Sequence, residues 1–428
     1  MKENVEIIKN SLKDNPDLVI KKCPINFFSC TYIIFLETLV NQDKINNYIL
    51  KHLSKINIFN KNLIPGANEK EILLNEWEHY IYMGYTLVLY KKHIYAIETR
   101  AEISRSVSTN ETEPSIKGPK NAFVENFQTN LGLIKRRVKT SKLKIKSLTL
   151  GKISNTAVGL VYLEDKCKED LINDVHNRLL QNKNEIINDV HDLNKLLGGS
   201  NLFPTVLATE RPDRCAKALS EGKIVIIADE SSNALIIPST LNDFINPFSD
   251  IYNKKFNILF TKIIRYLCFF LSAIVPAFYI AIINYNQEAI PTSLIINFAI
   301  QRSGIPFPAV IECVMMLIIC EILRESDLRF PNKYGSAISI LGALVLGDAA
   351  VSAGLVSPIM IIITAFTYIS SLIFAEIEIG NALRVFRFIF LALSSFLGLY
   401  GLLIAVCFLI IYLSDTTSLN YPYLGGKK

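Results

Sequence analysis

The sequence predicts an α/β soluble N-terminal region of two related subdomains, followed by an all-α polytopic transmembrane bundle. Three observations carry this: how charge is partitioned along the chain, a strand–helix–hairpin order that occurs twice, and apolar runs confined to the C-terminal part. Of the 45 Lys+Arg and 39 Asp+Glu, residues 1–255 hold 35 and 30 and residues 256–428 hold 10 and 9. The positive mean hydropathy of +0.30 therefore comes from the second part, which reads as membrane. An apolar content of 50% excludes disorder, and the near balance of basic and acidic groups argues against a nucleic-acid partner. The expected domains are 1–105 (α/β subdomain 1), 106–255 (α/β subdomain 2 with a basic linker), 256–415 (a transmembrane helical domain of four to six spans) and 416–428 (a short polar tail).

Within the front part, Thr31–Leu36 is a β-branched and aromatic run that predicts a strand, with a helical stretch after it around Asp43–Leu53. The same order returns at Ala157–Leu163 and Glu169–Gln181, where Leu171, Ile172, Val175 and Leu179 fall at helical spacing. Each half continues with two strands joined by a turn: Tyr85–Tyr90 with His93–Glu98, then Lys223–Ala228 with Asn233–Ile237. A duplicated unit explains the recurrence, and so does coincidence of a common order. The segment between the halves is strongly basic at Lys135, Arg136, Arg137, Lys139, Lys142, Lys144 and Lys146. Both a solvated face and a phosphate-seeking surface fit that pattern. Farther on, Arg211-Pro-Asp-Arg214 opens a helix, with Pro212 at its first position and Asp213 in its first turn.

The eight cysteines include no Cys-x-x-Cys pair, so free thiols in a reducing compartment are expected, with no metal site and no cofactor. The five histidines form no His-Glu-x-x-His motif and no phosphate-cradling Gly-x-x-x-x-Gly-Lys occurs, so no catalytic residue is assigned and the chain is not read as an enzyme. Met1 to Val19 is charged and lacks a long apolar core, which is unlike a secretory signal and would keep the front part cytoplasmic.

In the back part the first apolar run is Ile258–Tyr285, with Lys254, Lys255, Lys262 and Arg265 marking its cytoplasmic end. Pro306 and Pro308 separate an interfacial or re-entrant piece, Pro291–Arg302, from a second span at Ala309–Leu323. Arg324, Arg329 and Lys333 then return the chain to the cytoplasm. Ser336–Ala353 and Leu355–Phe374 form a hairpin broken at Gly354 and Pro358. After Arg384 and Arg387, Phe388–Leu413 is the last run. Five such spans leave the tail, ending Lys427-Lys428, on the far side; a re-entrant piece or a sixth crossing would return it.

Glu312 lies in an apolar helix with no basic residue within one turn, so it faces protein or water, or is protonated. A functional role and a structural interhelical hydrogen bond are both open for it. Glu321 neighbours Arg324 and Glu325 by spacing and reads as an ion-pair anchor. The third span carries two small-residue stripes suited to close helix packing, Ser336, Ser339, Ala343, Gly347 and Ala350 on one, and Gly335, Gly342, Ala349 and Ala353 on the other. Its remaining face, Ala337, Leu341, Leu344 and Asp348, suits a pore in a ring of identical subunits, apolar at Leu344 and acidic one turn away. The alternative is that Asp348 caps the helix near Gly354 or bonds a neighbouring backbone.

From about Lys117 to Leu424 the chain resembles the A subunit of the GerA-type spore germination receptors. The residues that carry this are Lys117-Gly-Pro-Lys-Asn-Ala-Phe-Val-Glu125, Asn130 to Arg137, Phe203-Pro-Thr-Val-Leu-Ala-Thr-Glu-Arg-Pro-Asp-Arg214, Ile305-Pro-Phe-Pro-Ala-Val-Ile-Glu312, Glu321-Ile-Leu-Arg-Glu325, Gly342-Ala-Leu-Val-Leu-Gly347 and Gly354-Leu-Val-Ser-Pro-Ile-Met360. The resemblance implies a multi-pass protein of the spore inner membrane, its N-terminal domain facing the core, acting with B and C subunits. It also implies self-association into a nutrient-gated channel for monovalent cations that starts germination. Two positions depart from the family: Leu317 stands where an acidic residue is common, and Asp348 where Gln is usual. An acidic ring would then be peculiar to this chain, leaving the apolar face to gate. The rival readings are a secondary transporter, whose helices break as these do at Pro306, Pro308, Gly354 and Pro358, and a non-conducting scaffold that transmits a signal.

Overall fold

The computed structural model describes residues 2–26, 29–53, 69–101, 118–198, 202–329, 347–374 and 376–425. Among them β2 (Ser29–Leu36) is a continuous apolar run because both of its faces are covered. It belongs to an antiparallel sheet with β1 (Leu18–Asn26), β3 (Glu69–Ile72), β4 (Tyr85–Tyr90) and β5 (His93–Glu98), in the order β1-β2-β4-β5-β3. Side chains alternate across a strand, so Ile34 and Leu36 join the core under helices α1 (Lys2–Ser11) and α2 (Trp77–Tyr82). Ile33 and Phe35 join a second core with Ile45, Ile49 and Leu53 of the helical run 42–53.

A second sheet repeats the plan. Its strands are β6 (Leu143–Leu150), β7 (Thr156–Leu163), β8 (Leu207–Thr209), β9 (Ile224–Ala228) and β10 (Ala234–Ile237), in the order β6-β7-β9-β10-β8. The two orders are the same, strand for strand. All six strands expected from the sequence are present as β2, β4, β5, β7, β9 and β10. Helices α3 (Phe127–Arg137), α4 (Glu169–Leu180), α5 (His191–Gly198) and α6 (Pro212–Ser220) accompany this sheet. Leu171, Ile172, Val175 and Leu179 are the buried face of α4, as their spacing required. Pro212 occupies the first position of α6.

The basic segment between the halves is buried at Lys135 and Lys144 and exposed at Lys139 and Lys142. It is α3 followed by β6. The Lys135 side chain is fully buried and its Nζ pairs with Asp17 Oδ1, whose other oxygen accepts from Thr38 Oγ1 at 2.6 Å. Burial holds the Lys135 ammonium below the ordinary lysine range, with Asp17 opposing the shift. Lys144, 8% exposed, lies 3.1 Å from Asp14 and 3.7 Å from Glu164. These charges tie the two sheets' halves together from the 14–17 turn.

The chain divides into two compact units: Met1–Asn201, Thr205–Ser239 and Ser418–Tyr421 form one, and Leu202–Pro204, Thr240–Thr417 and Pro422–Lys428 the other. The second unit contains α7 (Lys255–Tyr285), α8 (Thr292–Arg302), α9 (Ala309–Arg329), α10 (Pro358–Ser371) and the helical run α11 (Ile377–Asp415). Among the described residues α7 and α11 are long and apolar enough to cross a membrane. The last run is not one straight helix, as the sequence suggested. At Gly398 the backbone takes φ 59° and ψ −136° and the chain folds back on itself. A Cβ placed at Gly401 would lie 2.1 Å from Leu393 O, and the Phe386 ring is 5.5 Å from that of Tyr412, which a straight helix would hold about 39 Å away at 1.5 Å per residue. Two antiparallel arms, 377–397 and 399–415, therefore bring the run back to the end where it began.

Around the base of this hairpin Phe203 is fully buried, its ring 5.6 Å from Phe386, 6.1 Å from Tyr412 and 6.3 Å from Phe269. Leu202 N donates to Tyr412 Oη at 2.9 Å. The start of the Phe203-Pro-Thr motif thus belongs to the helical unit although α/β sequence flanks it. The polar tail is also structured. Ser418 Oγ accepts from Ser239 N and donates to Thr205 O, and Leu419 enters the core of the second sheet.

Replacing Lys135 with Met leaves the Asp17 carboxylate buried without its cation. Full-length protein in detergent should then lose about 3–5 kcal/mol of chemical-denaturation stability, whereas Lys142→Met, which breaks the exposed 3.0 Å pair with Asp165, should cost about 1 kcal/mol or less. Equal midpoints for the two variants would contradict this.

Candidate functional site: polar groups at the helix breaks

Each break in the apolar helices strands backbone groups, and each is met by a side chain from elsewhere in the unit. Pro276 lies inside α7 and has no N–H, so Ser272 O, four residues earlier, loses its helical partner. Arg387 Nε donates to that oxygen at 2.8 Å. Arg387 is 3% exposed, and its Nη1 lies 3.8 Å from Glu321, which Arg384 approaches to 3.0 Å. Glu321 is an ion-pair anchor, but its closest partners are on α11 rather than at Arg324 and Glu325, and Arg387 is an interior tie rather than a member of a surface basic cluster.

At the hairpin tip the first arm ends with unpaired carbonyls. Tyr285 Oη donates toward two of them, Ser395 O at 2.7 Å and Phe396 O at 3.1 Å. Only a residue without Cβ fits the turn: φ is positive at Gly398, and a Cβ there would lie 2.9 Å from that of Tyr285.

The third break lies between the helical turn 347–352 and α10. Gly354, φ 66°, closes the turn by donating to Val351 O at 2.9 Å, while Leu355 N donates to Ala350 O at 2.9 Å. This is the paired C-terminal bonding of a Schellman motif. Ser357 then caps α10 and Pro358 starts it. Glu312, in the first turn of α9 after the break at Pro306 and Pro308, reaches across. Its Oε1 accepts from Ser357 N at 2.5 Å and from Ser357 Oγ. It does from another helix what the glutamate of a capping box does within one. Glu312 is completely buried, and its Oε2 lies 3.9 Å from Arg302 Nε. The interhelical hydrogen bond expected as one of its two roles is therefore present, on one oxygen.

Of the proposed pore face, Ala337, Leu341 and Leu344 lie outside the described residues, as do Ser336, Ser339, Gly342 and Ala343 of the packing stripes. Asp348 is described. Its side chain is exposed and makes no hydrogen bond or ion pair with any described residue, so it does not cap the turn that ends at Gly354. A Cβ at Gly347 would meet Ile361 Cδ1 at 3.8 Å, ordinary contact with α10. No group of three or more metal-ligating side chains occurs among the described residues.

Sequence reasoning missed the roles of Arg387, Arg302 and Tyr285. The signal for the first was present: a proline inside a long apolar helix announces an orphan carbonyl four residues back.

The chain thus joins an α/β unit to a helical unit in which, among the described residues, two helices are long and apolar enough to cross a membrane. The chain matches the Bacillus/Clostridium GerA spore germination protein family over residues 6–426, and it belongs to that family. It is 32% identical over 439 residues to Spore germination protein KA of Bacillus subtilis (strain 168), covering 99% of this chain and 81% of that one. It is 32% identical over 435 residues to Spore germination protein GerQA of Bacillus cereus, covering 99% and 86%. The N-terminal domain of the A subunit of the Bacillus megaterium spore germinant receptor GerK3, a crystal structure, is similar to 56% of this chain and 95% of itself, with 23% identity and a TM-score of 0.43.

Arg387→Met should lower thermal stability in detergent by stranding Ser272 O, while Glu321 keeps Arg384. Adding Pro276→Ala supplies the missing N–H, so the double-mutant cycle should recover about 1 kcal/mol. Strict additivity would show that Arg387 does not serve that carbonyl.

Proposed function

We propose that this chain is the A subunit of a nutrient germinant receptor, that copies of it form a ring with B and C subunits in the spore inner membrane, and that the ring is a nutrient-gated channel for monovalent cations. The observation that carries this reading is Asp348: an exposed carboxylate, without a hydrogen bond or ion pair among the described residues, on a helical turn of an apolar unit. Lipid is a costly surrounding for such a group, so water or a neighbouring subunit must face it. In this reading Asp348 lines the path with Ala337, Leu341 and Leu344, which match its helical spacing in the sequence, Leu344 forming the apolar constriction and Asp348 attracting cations one turn away.

Chain continuity supports the topology. In this reading the membrane segment starts and ends on one side and crosses an even number of times, because the chain leaves the α/β unit after Ser239 and rejoins it at Ser418. The reversal at Gly398 supplies the return that five single crossings lacked. In this reading the α/β unit faces the core.

A secondary transporter is the second reading, favoured by the meeting of two broken helices at buried Glu312. Reconstituted complex separates the two: a channel passes cations down their gradient when nutrient is added, whereas a carrier accumulates the nutrient itself.

Leu344→Ala should give cation leak and germination without nutrient, read as spontaneous loss of spore potassium; intact dormancy and unchanged flux would sink the pore assignment. Asp348→Asn should lower cation conductance at unchanged assembly, recorded from reconstituted complex.

A further inference from the structure

Three buried polar atoms near the break at Pro306 and Pro308 have no hydrogen-bond partner among the described residues: Glu312 Oε2, Arg302 Nε and Tyr279 Oη. They are neighbours. Arg302 Nε stands 3.9 Å from Glu312 Oε2, and Tyr279 packs in one buried cluster with Ala309 and Cys313, the α9 residues on either side of Glu312. That separation exceeds a direct hydrogen bond, and leaving such groups unpaired in an apolar interior is costly. Between them they offer a carboxyl oxygen, a guanidinium N–H donor and a hydroxyl that both donates and accepts. A carboxyl group beside a guanidinium favours neither a bare cation nor an anion. The chemistry that satisfies all three at once is a small neutral molecule able both to donate and to accept.

We propose that these atoms form a buried hydration site, holding a water that accepts from Arg302 Nε and donates to Glu312 Oε2, with Tyr279 Oη as its third partner. Such a water makes about three hydrogen bonds, the usual number for a buried one. Access is built into the same elements. Ile295, Phe298 and Arg302 fall at helical spacing on α8, and they wall a cavity of about 240 Å³ against Ile283, Gln287 and Ile290. That volume accommodates several waters at about 30 Å³ each. Arg302 stands in both places, on the cavity wall and beside Glu312, so the site exchanges with solvent through the space beneath α8. This site does not depend on whether the ring conducts.

The test is hydroxyl-radical labelling of full-length protein in lipid nanodiscs by brief X-ray radiolysis, with rapid mixing into H2¹⁸O and mass spectrometry. Radicals form from water in place, so a bound water labels the side chain beside it. Tyr279 should be hydroxylated despite its burial and take up ¹⁸O more slowly than Tyr400, which is 78% exposed. Glu312→Gln and Arg302→Met should each cut the Tyr279 label severalfold while leaving Tyr400 unchanged. Ala299→Leu, which narrows the cavity, should slow the ¹⁸O uptake without reducing the label. An unlabelled Tyr279 would show a dry site, and uptake as fast as at Tyr400 would show open solvent. Loss of the label when potassium and sodium are replaced by N-methylglucamine would show a hydrated cation instead. Any of these results overturns the proposal, and unchanged uptake in Ala299→Leu overturns the route through the cavity.

Discussion

Inside an apolar helical unit every broken backbone bond has to be satisfied from within, and this constraint organises the second half of the molecule. Pro276, Gly354 with Pro358, and Gly398 each interrupt a helix. Arg387, Glu312 and Tyr285 each answer one interruption from a different helix. The ties are long-range in sequence, so the breaks fasten the helices to one another. Losing one partner leaves a polar group stranded, which is why these few contacts matter more than their number suggests.

The α/β unit solves a related problem with charge. Its two sheets have the same strand order, and the contact between their halves runs through buried or nearly buried Lys135 and Lys144, with Asp17 and Asp14 as partners. A buried pair of this kind adds little net stability, yet either partner alone is strongly unfavourable. It fixes how the halves meet more than how strongly they hold.

By reversing the last run, the hairpin at Gly398 returns the chain to the α/β sequence, where Ser418 bonds Ser239 and Thr205. A chain reversal inside an apolar run is possible only because glycine accepts the positive φ found there.

The sequence by itself determined the division between charged and apolar parts, six strands, the buried face of α4, the start of α6 and the helix breaks around Pro306, Gly354 and Pro358. All of these follow from local rules: residue periodicity, fixed proline geometry and turn chemistry act within about ten residues. It did not show β6, because alternating lysines look like a solvated stretch until partners 130 and 20 residues away, Asp14 and Glu164, are brought beside Lys144. Nor did it show the fold-back at Gly398, since an apolar run reads the same straight or reversed. Which orphan carbonyl receives Arg387, and which helix cap receives Glu312, depended on distances set only when separate helices packed, and those were decided by the tertiary structure.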